Sequence, residues 1–191
     1  MLPQAPELDA FAGHLVILSG SPGCGKTTTA EALAHLGGAV PKVHIHSDDF
    51  WGYIKHGLIA PWLPESDTQN RMVMQIAAGV AARYAEAGYL VFLDGVIRPA
   101  MVPIFADLGI PTHYVVLRVG VDEAVARCTA RGGDSLTDPQ VVAALHAEFM
   151  GLGDFERNVL EVGGKGRDAV RAAVISAVAA GSYRLMEASP A

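Results

Sequence analysis

The stretch LVILSGSPGCGKT, Leu15–Thr27, decides how the rest of the chain is read. Its first part, Leu15–Ser19, is a mostly apolar run of the kind buried on both faces of a parallel sheet. The second part, Gly20–Thr27, matches the pattern G-x-x-x-x-G-K-[ST] at every fixed position. A helical pattern follows from Lys26 to Leu36. Strand, glycine-rich turn and helix in this order make a cradle for a polyphosphate. Glycines at 20, 23 and 25 open backbone angles that other residues avoid, so amides turn inward, and the helix adds the partial positive charge of its N-terminus. Lys26 supplies a cation for the β- and γ-phosphates, and Thr27 a hydroxyl ligand for Mg²⁺. Ser21, Cys24 and Thr28 complete the loop residues expected around the nucleotide. ATP and Mg²⁺ are therefore the expected cofactors.

Working outward, short β-type runs alternate with helical patterns, which argues for a parallel sheet with helices on both faces. Further strands are expected at Lys42–His46, Leu90–Asp94, His113–Arg118 and Val159–Val162. Asp67 is placed to cap a helix from about Thr68 to Ala87, and Pro99 to open a short one through Leu108. Asp122 begins a helix carrying Arg127 and Arg131, Asp138-Pro139 caps one reaching about Met150, and Asp168 starts the last, ending near Ala180. Gly57–Asp67 and Arg131–Thr137 fall outside the alternation. Both read as connections able to fold over a site at the strand C-termini, where ligands bind in open α/β sheets.

The 191 residues fit one domain, with about 50–87 as an acceptor-binding helical region and about 127–150 as a lid. Hydrophobic residues make up 51% and charged residues 18%, enough for a buried core. A formal net charge of −6 disfavours nonspecific binding to nucleic acid. No apolar run approaches the roughly 20 residues needed to span a bilayer, and the N-terminus lacks the basic and apolar stretches of a signal peptide. Two cysteines, Cys24 and Cys128, show no metal spacing and read as free thiols. The expectation is a soluble cytoplasmic protein, monomer or homodimer, without a nucleic-acid or membrane partner.

The acidic residues supply the remaining chemistry. Ser47-Asp48-Asp49 directly follows the second strand. Phosphoryl transfer to a hydroxyl needs a carboxylate within hydrogen-bond reach of the acceptor proton, and Asp48 or Asp49 would provide it. The alternative is that one of the pair caps the helix starting near Phe50. Asp94 closes the apolar run Leu90–Asp94, where it would hold Mg²⁺ directly or through water; a strand ending in a turn at Asp94-Gly95 is the bland reading. Arg98, just beyond, is placed to grip an acceptor or is a solvated loop arginine. Arg127 and Arg131 share one helix face, facing either a ligand or solvent. His44 and His46 alternate on one strand face in phase with Asp48, and read better as packed or hydrogen-bonded histidines than as a metal cluster. Phe50, Trp51, Tyr53, Trp62 and Leu63 either line an apolar acceptor pocket or form a small core under the 57–67 loop. Asn70 and Arg71 are near enough to a helix start to reach an acceptor, but nothing in the sequence fixes their direction.

The strand, GSPGCGKT loop and helix resemble P-loop NTPases, and the short chain looks like the nucleoside-monophosphate-kinase-like group. That group includes shikimate and gluconate kinases, chloramphenicol phosphotransferase and zeta-toxin-like kinases. The resemblance implies a three-layer α/β/α domain with five parallel strands in the order 2-3-1-4-5 and a short lid. It also implies Asp48 rather than Asp49 as the base, lid arginines Arg127 and Arg131 closing over ATP, and the loop Gly163–Arg167 packing on adenine. The implied function is ATP·Mg-dependent phosphorylation of a small molecule, with Lys26, Asp48, Arg98 and Arg131 catalytic. A zeta-toxin-like nucleotide-sugar kinase, an antibiotic kinase and a nucleotide-hydrolysing regulator are the rival functions. No guanine-reading Asn/Thr-Lys-x-Asp string is present, which argues against a GTPase.

Overall fold

A computed structural model describes residues 5–131 and 136–185. Five parallel strands form one sheet: β1 Leu15–Ser19, β2 Lys42–His46, β3 Leu90–Asp94, β4 Thr112–Arg118 and β5 Val159–Glu161. Their spatial order is β2-β3-β1-β4-β5, as the resemblance implies. The helices are α1 Lys26–Ala34, α2 Asp48–Gly52, α3 Asp67–Glu86, α4 Val102–Ala106, α5 Val121–Arg131, α6 Pro139–Ala147 and α7 Arg167–Ala179. Among the described residues, no helix is long and apolar enough to cross a membrane.

Strand β1 is fully buried, and its side chains alternate between two cores. Val16 and Leu18 face one layer, with Ala30 and Leu33 of α1, Ala124 and Cys128 of α5, and Val174 and Val178 of α7. Leu15 and Ile17 face the other, with Met74, Ala77 and Ala81 of α3 and Phe105 of α4. The alanine-rich inner face of α3 lets that long helix lie close on the sheet. At about 25 cal/mol per Å² of apolar surface, each fully buried strand residue contributes roughly 1.5–3 kcal/mol.

Local details depart from the sequence reading. Asp67 is not a cap: it is the first residue of α3, its side chain makes no cap hydrogen bond, and it pairs with Arg71 at 3.4 Å instead. A 3₁₀ turn at Pro64–Ser66 feeds the helix, and Ser66 spends its hydroxyl on the Leu63 and Pro61 carbonyls. The helix expected from Pro99 to Leu108 is a 3₁₀ turn, Pro99–Met101, followed by α4; Pro103 sits in the first turn of α4, where its missing N–H costs least. Asp138 does cap α6, accepting from the Gln140 amide at 2.9 Å. Residues 132–135 of the Arg131–Thr137 connection lie outside the described residues.

Candidate active site

Parallel pairing brings the strand ends together. Asp94 stands level with Leu18 of β1 and with His46 of β2. The turn after β1 therefore opens beside the ends of β2 and β3. The Ser47 amide donates to the Asp94 carbonyl at 2.9 Å, tying the start of α2 to the same edge.

In the loop, Gly20, Gly23 and Gly25 all have positive φ. Two of them also meet backbone closely. A Cβ at Gly20 would lie 2.3 Å from the Leu117 carbonyl oxygen, and one at Gly23 would lie 2.4 Å from that of Ala124. Ser21 and Cys24 are buried, and the Cys24 amide donates to the Ser21 carbonyl at 3.3 Å. Gly20, Ser21 and Cys24 thus shape the loop from beneath, whereas Gly23, Gly25, Lys26, Thr27 and Thr28 line the open cavity above it. Lys26 is buried, and its ammonium reaches back to the Ser21 carbonyl at 3.3 Å. The two cysteines are free thiols; burial raises the Cys128 thiol above its ordinary range.

Asp94 is the electrostatic centre. It is fully buried, a burial that by itself would raise its pKa. Hydrogen bonds outweigh that and hold it well below the usual carboxylate range. The partners are His44 Nε2 at 2.6 Å, His46 Nδ1 at 3.2 Å and the Thr27 hydroxyl, which donates to Oδ2 at 2.6 Å. His46 is raised in turn, first by its bond to Asp94. Its Nε2 lies 3.7 Å from Asp48 Oδ2, so one imidazole links the two acids. The preferred reading of the histidines as hydrogen-bonded is what the geometry gives. Sequence reasoning saw their shared phase with Asp48 but missed that both converge on Asp94. Among the described residues, no group of three or more His, Cys, Asp or Glu side chains is arranged to hold a metal by itself. The Thr27 hydroxyl beside an ionised Asp94 carboxylate does fit Mg²⁺, which takes few protein ligands and completes its shell with phosphate and water.

A cavity of about 1190 Å³ opens over the loop. Asp48 and Asp49 are both exposed on its wall, and no side chain caps α2, so neither acid is a capping residue. Arg98 also lines it, but is ion-paired with Glu148 just past α6, a partner the sequence did not announce. The loop carrying Arg98 is fixed from below. The Ser19 hydroxyl donates to the Ile97 carbonyl at 2.7 Å and accepts from its amide at 3.0 Å, while Tyr114 donates to the same carbonyl at 2.8 Å. Arg131 lines the cavity; Arg127 instead braces the phosphate loop, donating to the Gly23 carbonyl at 3.3 Å and pairing with Glu123. Trp51, Tyr53 and Trp62 reach the cavity wall, whereas Phe50 packs against the core and Leu63 is exposed elsewhere. Asn70 is buried and accepts from the Trp51 indole, and Arg71 pairs with Asp67. The Gly163–Arg167 loop lies off this cavity, with the Gly164 amide against Glu123.

The same arrangement of elements recurs in solved kinases. A thymidylate kinase from Candida albicans is 18% identical, covers 93% of this chain and 96% of its own, and superposes with a TM-score of 0.62. A gluconokinase from Sinorhizobium meliloti is 18% identical, with 91% and 97% covered and a TM-score of 0.63. The APS kinase of Mycobacterium tuberculosis, solved in complex with AMPPNP and APS, is 18% identical, with 87% and 98% covered and a TM-score of 0.58. At such identities the likeness is one of fold. No curated protein matches the chain. The zeta toxin family model does match, over residues 11–131, a span that runs from just before β1 through the phosphate loop, Asp48, Asp94 and the arginines of α5, and the chain belongs to that family.

Proposed function

We propose that the protein is a kinase that transfers the γ-phosphoryl group of ATP, with Mg²⁺, to a hydroxyl of a small molecule. The observation that carries this reading is the 2.6 Å bond from the Thr27 hydroxyl to buried Asp94, at the mouth of a phosphate loop that shares one cavity with Asp48. A neighbour that binds the ATP analogue AMPPNP supports the choice of nucleotide.

In this reading the loop amides and Lys26 hold the β- and γ-phosphates. Thr27 and Asp94 would hold Mg²⁺, which neutralises charge on the phosphates when bound. Asp48 accepts the acceptor's proton as its oxygen bonds to the γ-phosphorus and the bond to the ADP oxygen breaks; Asp49 is the second choice. His46 stands between Asp48 and Asp94, fixing the distance between base and metal ligand. Arg98 and Arg131 act on the cavity, while Arg127 keeps the loop in shape. Residues 50–87 form the acceptor-binding region and 127–150 the lid, in a single cytoplasmic domain.

The test is Lys26→Ala. Phosphoryl transfer should fall at least about a hundredfold, because a cation aimed at the developing charge is lost. The melting temperature should change little, since the ammonium makes a single hydrogen bond to the loop. Full activity in that variant would refute the reading.

A further inference from the structure

The two carboxylate oxygens of Asp94 are held by different groups. Oδ2 accepts from the Thr27 hydroxyl at 2.6 Å, and Oδ1 lies 2.6 Å from His44 Nε2. His46 Nδ1 sits 3.2 Å from both oxygens and so favours neither. An ionised carboxylate accepts and does not donate, so His44 carries a proton on Nε2 and His46 one on Nδ1.

The sheet makes this pairing. His44 is level with Phe92 and His46 with Asp94, so both imidazoles share the face of the sheet that carries Asp94. Phe92 packs there against Ala30 and Leu33 of α1, the helix whose first turn holds Thr27. His46 stands directly opposite Asp94, whereas His44 must reach forward by two residues, and it does so through its outer nitrogen. The His44 side chain is 19% exposed and Asp94 fully buried, so water competes little for their bond. Unheld, a carboxylate turns about its last single bond and can offer either oxygen. With Thr27 on one oxygen and His44 on the other, Asp94 keeps one setting, with Oδ2 toward the phosphate loop. Mg²⁺ demands near-ideal octahedral geometry, so it gains from a ligand that is already set. Removing the outer hydrogen bond from such a ligand typically costs about 10–100-fold in metal affinity.

We propose that His44 is a positioning residue for the metal: by occupying Oδ1 it presents Oδ2 of Asp94, together with Thr27, to the Mg²⁺ of Mg-ATP. The inference rests on the kinase reading for the identity of the metal complex, but its readout needs no acceptor.

Calorimetry on the full chain gives the affinity for ATP with Mg²⁺ and with excess EDTA, and the ratio of the two is the gain from metal. His44→Leu should cut that gain about tenfold or more. Its affinity for ATP in EDTA should hold, because the loop amides and Lys26 are untouched. His44→Gln, whose amide nitrogen stands where the imidazole Nε2 does, should keep the gain to within about threefold of the parent. In ¹⁵N-edited spectra of the unaltered chain, the Nε2 proton of His44 should be visible and slow to exchange, before and after Mg-ATP is added. A His44 without a proton on Nε2 would overturn the proposal with no variant needed. So would a His44→Leu protein that keeps the full gain, whatever its melting temperature, or a His44→Gln protein no better than His44→Leu. A chain that shows the expected pattern but phosphorylates no hydroxyl keeps this inference and loses the kinase reading. One that phosphorylates a hydroxyl with a gain indifferent to His44 loses this inference alone.

Discussion

Gly95→Ala is a small change with a calculable consequence. Gly95 follows Asp94 directly, and a Cβ built on it would lie 1.9 Å from Ser47 Oγ and 3.0 Å from Ser47 Cβ. Ser47 is fully buried and is held at both ends of its backbone: its amide donates to the Asp94 carbonyl and its carbonyl accepts from the Phe50 amide at 3.1 Å. Rotation about χ1 would remove the oxygen from the clash but not the Cβ. The ends of β2 and β3 must therefore separate by a few tenths of an ångström. Overpacking of this kind costs about 1–3 kcal/mol. In a chain of this length that is a fall of roughly 2–12 °C in melting temperature. The separation also shifts Asp48 relative to Asp94, so phosphoryl transfer should fall about tenfold or more beyond any loss of folded protein. The assay is a double-mutant cycle with Ser47→Gly, which removes both clashing atoms, read by denaturant melts and by turnover. The double variant should recover at least about 1 kcal/mol relative to the sum of the single variants. A Gly95→Ala protein as stable as the parent, or strictly additive single effects, would refute the reasoning.

Three further outcomes are expected. Gly23→Ala should destabilise the phosphate loop by about 1–3 kcal/mol and weaken Mg-ATP binding, because the new methyl meets the Ala124 carbonyl at a positive-φ position; calorimetry and melts read both effects. Burial pushes the His113 imidazole down to about 4, with the charge of His14 and Arg184 adding to it. Its folded value lies below its unfolded one, so its contribution is whole above about pH 6.5 and is lost as pH falls toward 4. On the order of 3 kcal/mol is at stake, and His113→Leu should flatten that loss in pH-dependent denaturant melts. For His46 the sign reverses: its pKa is raised, so the stability it contributes is present below its unfolded value and fades as pH rises through the folded one, a fade that should be absent in melts of His46→Ala.

The strands were legible because a buried parallel strand announces itself as an unbroken apolar run bounded by turns. Leu15–Ser19 and Leu90–Asp94 needed no tertiary information, whereas Lys42–His46, a part-buried edge strand, showed instead as an alternation of polar and apolar residues. Helix starts were less legible, because caps are decided by competition: Asp67 yielded to a 3₁₀ turn whose Ser66 was already occupied. In the site, Lys26 and Thr27 were readable since the phosphate loop is a contiguous string. Asp94 was readable as the end of a strand. The grip of His44 and His46 on it was not, because residues some fifty positions apart become neighbours only through the register of β2 on β3. The Arg98–Glu148 pair was hidden for the same reason, joining the loop after β3 to the end of α6.

The doubly used Ser19 hydroxyl has a mechanical corollary. With both the amide and the carbonyl of Ile97 clasped to β1, and Tyr114 of β4 fastened to that same carbonyl, the segment leading to Arg98 is a fixed jaw referenced to the middle of the sheet. Glu148, at the end of α6, meets that jaw through Arg98, so a shift of α6 against the sheet would be felt first as strain on their ion pair.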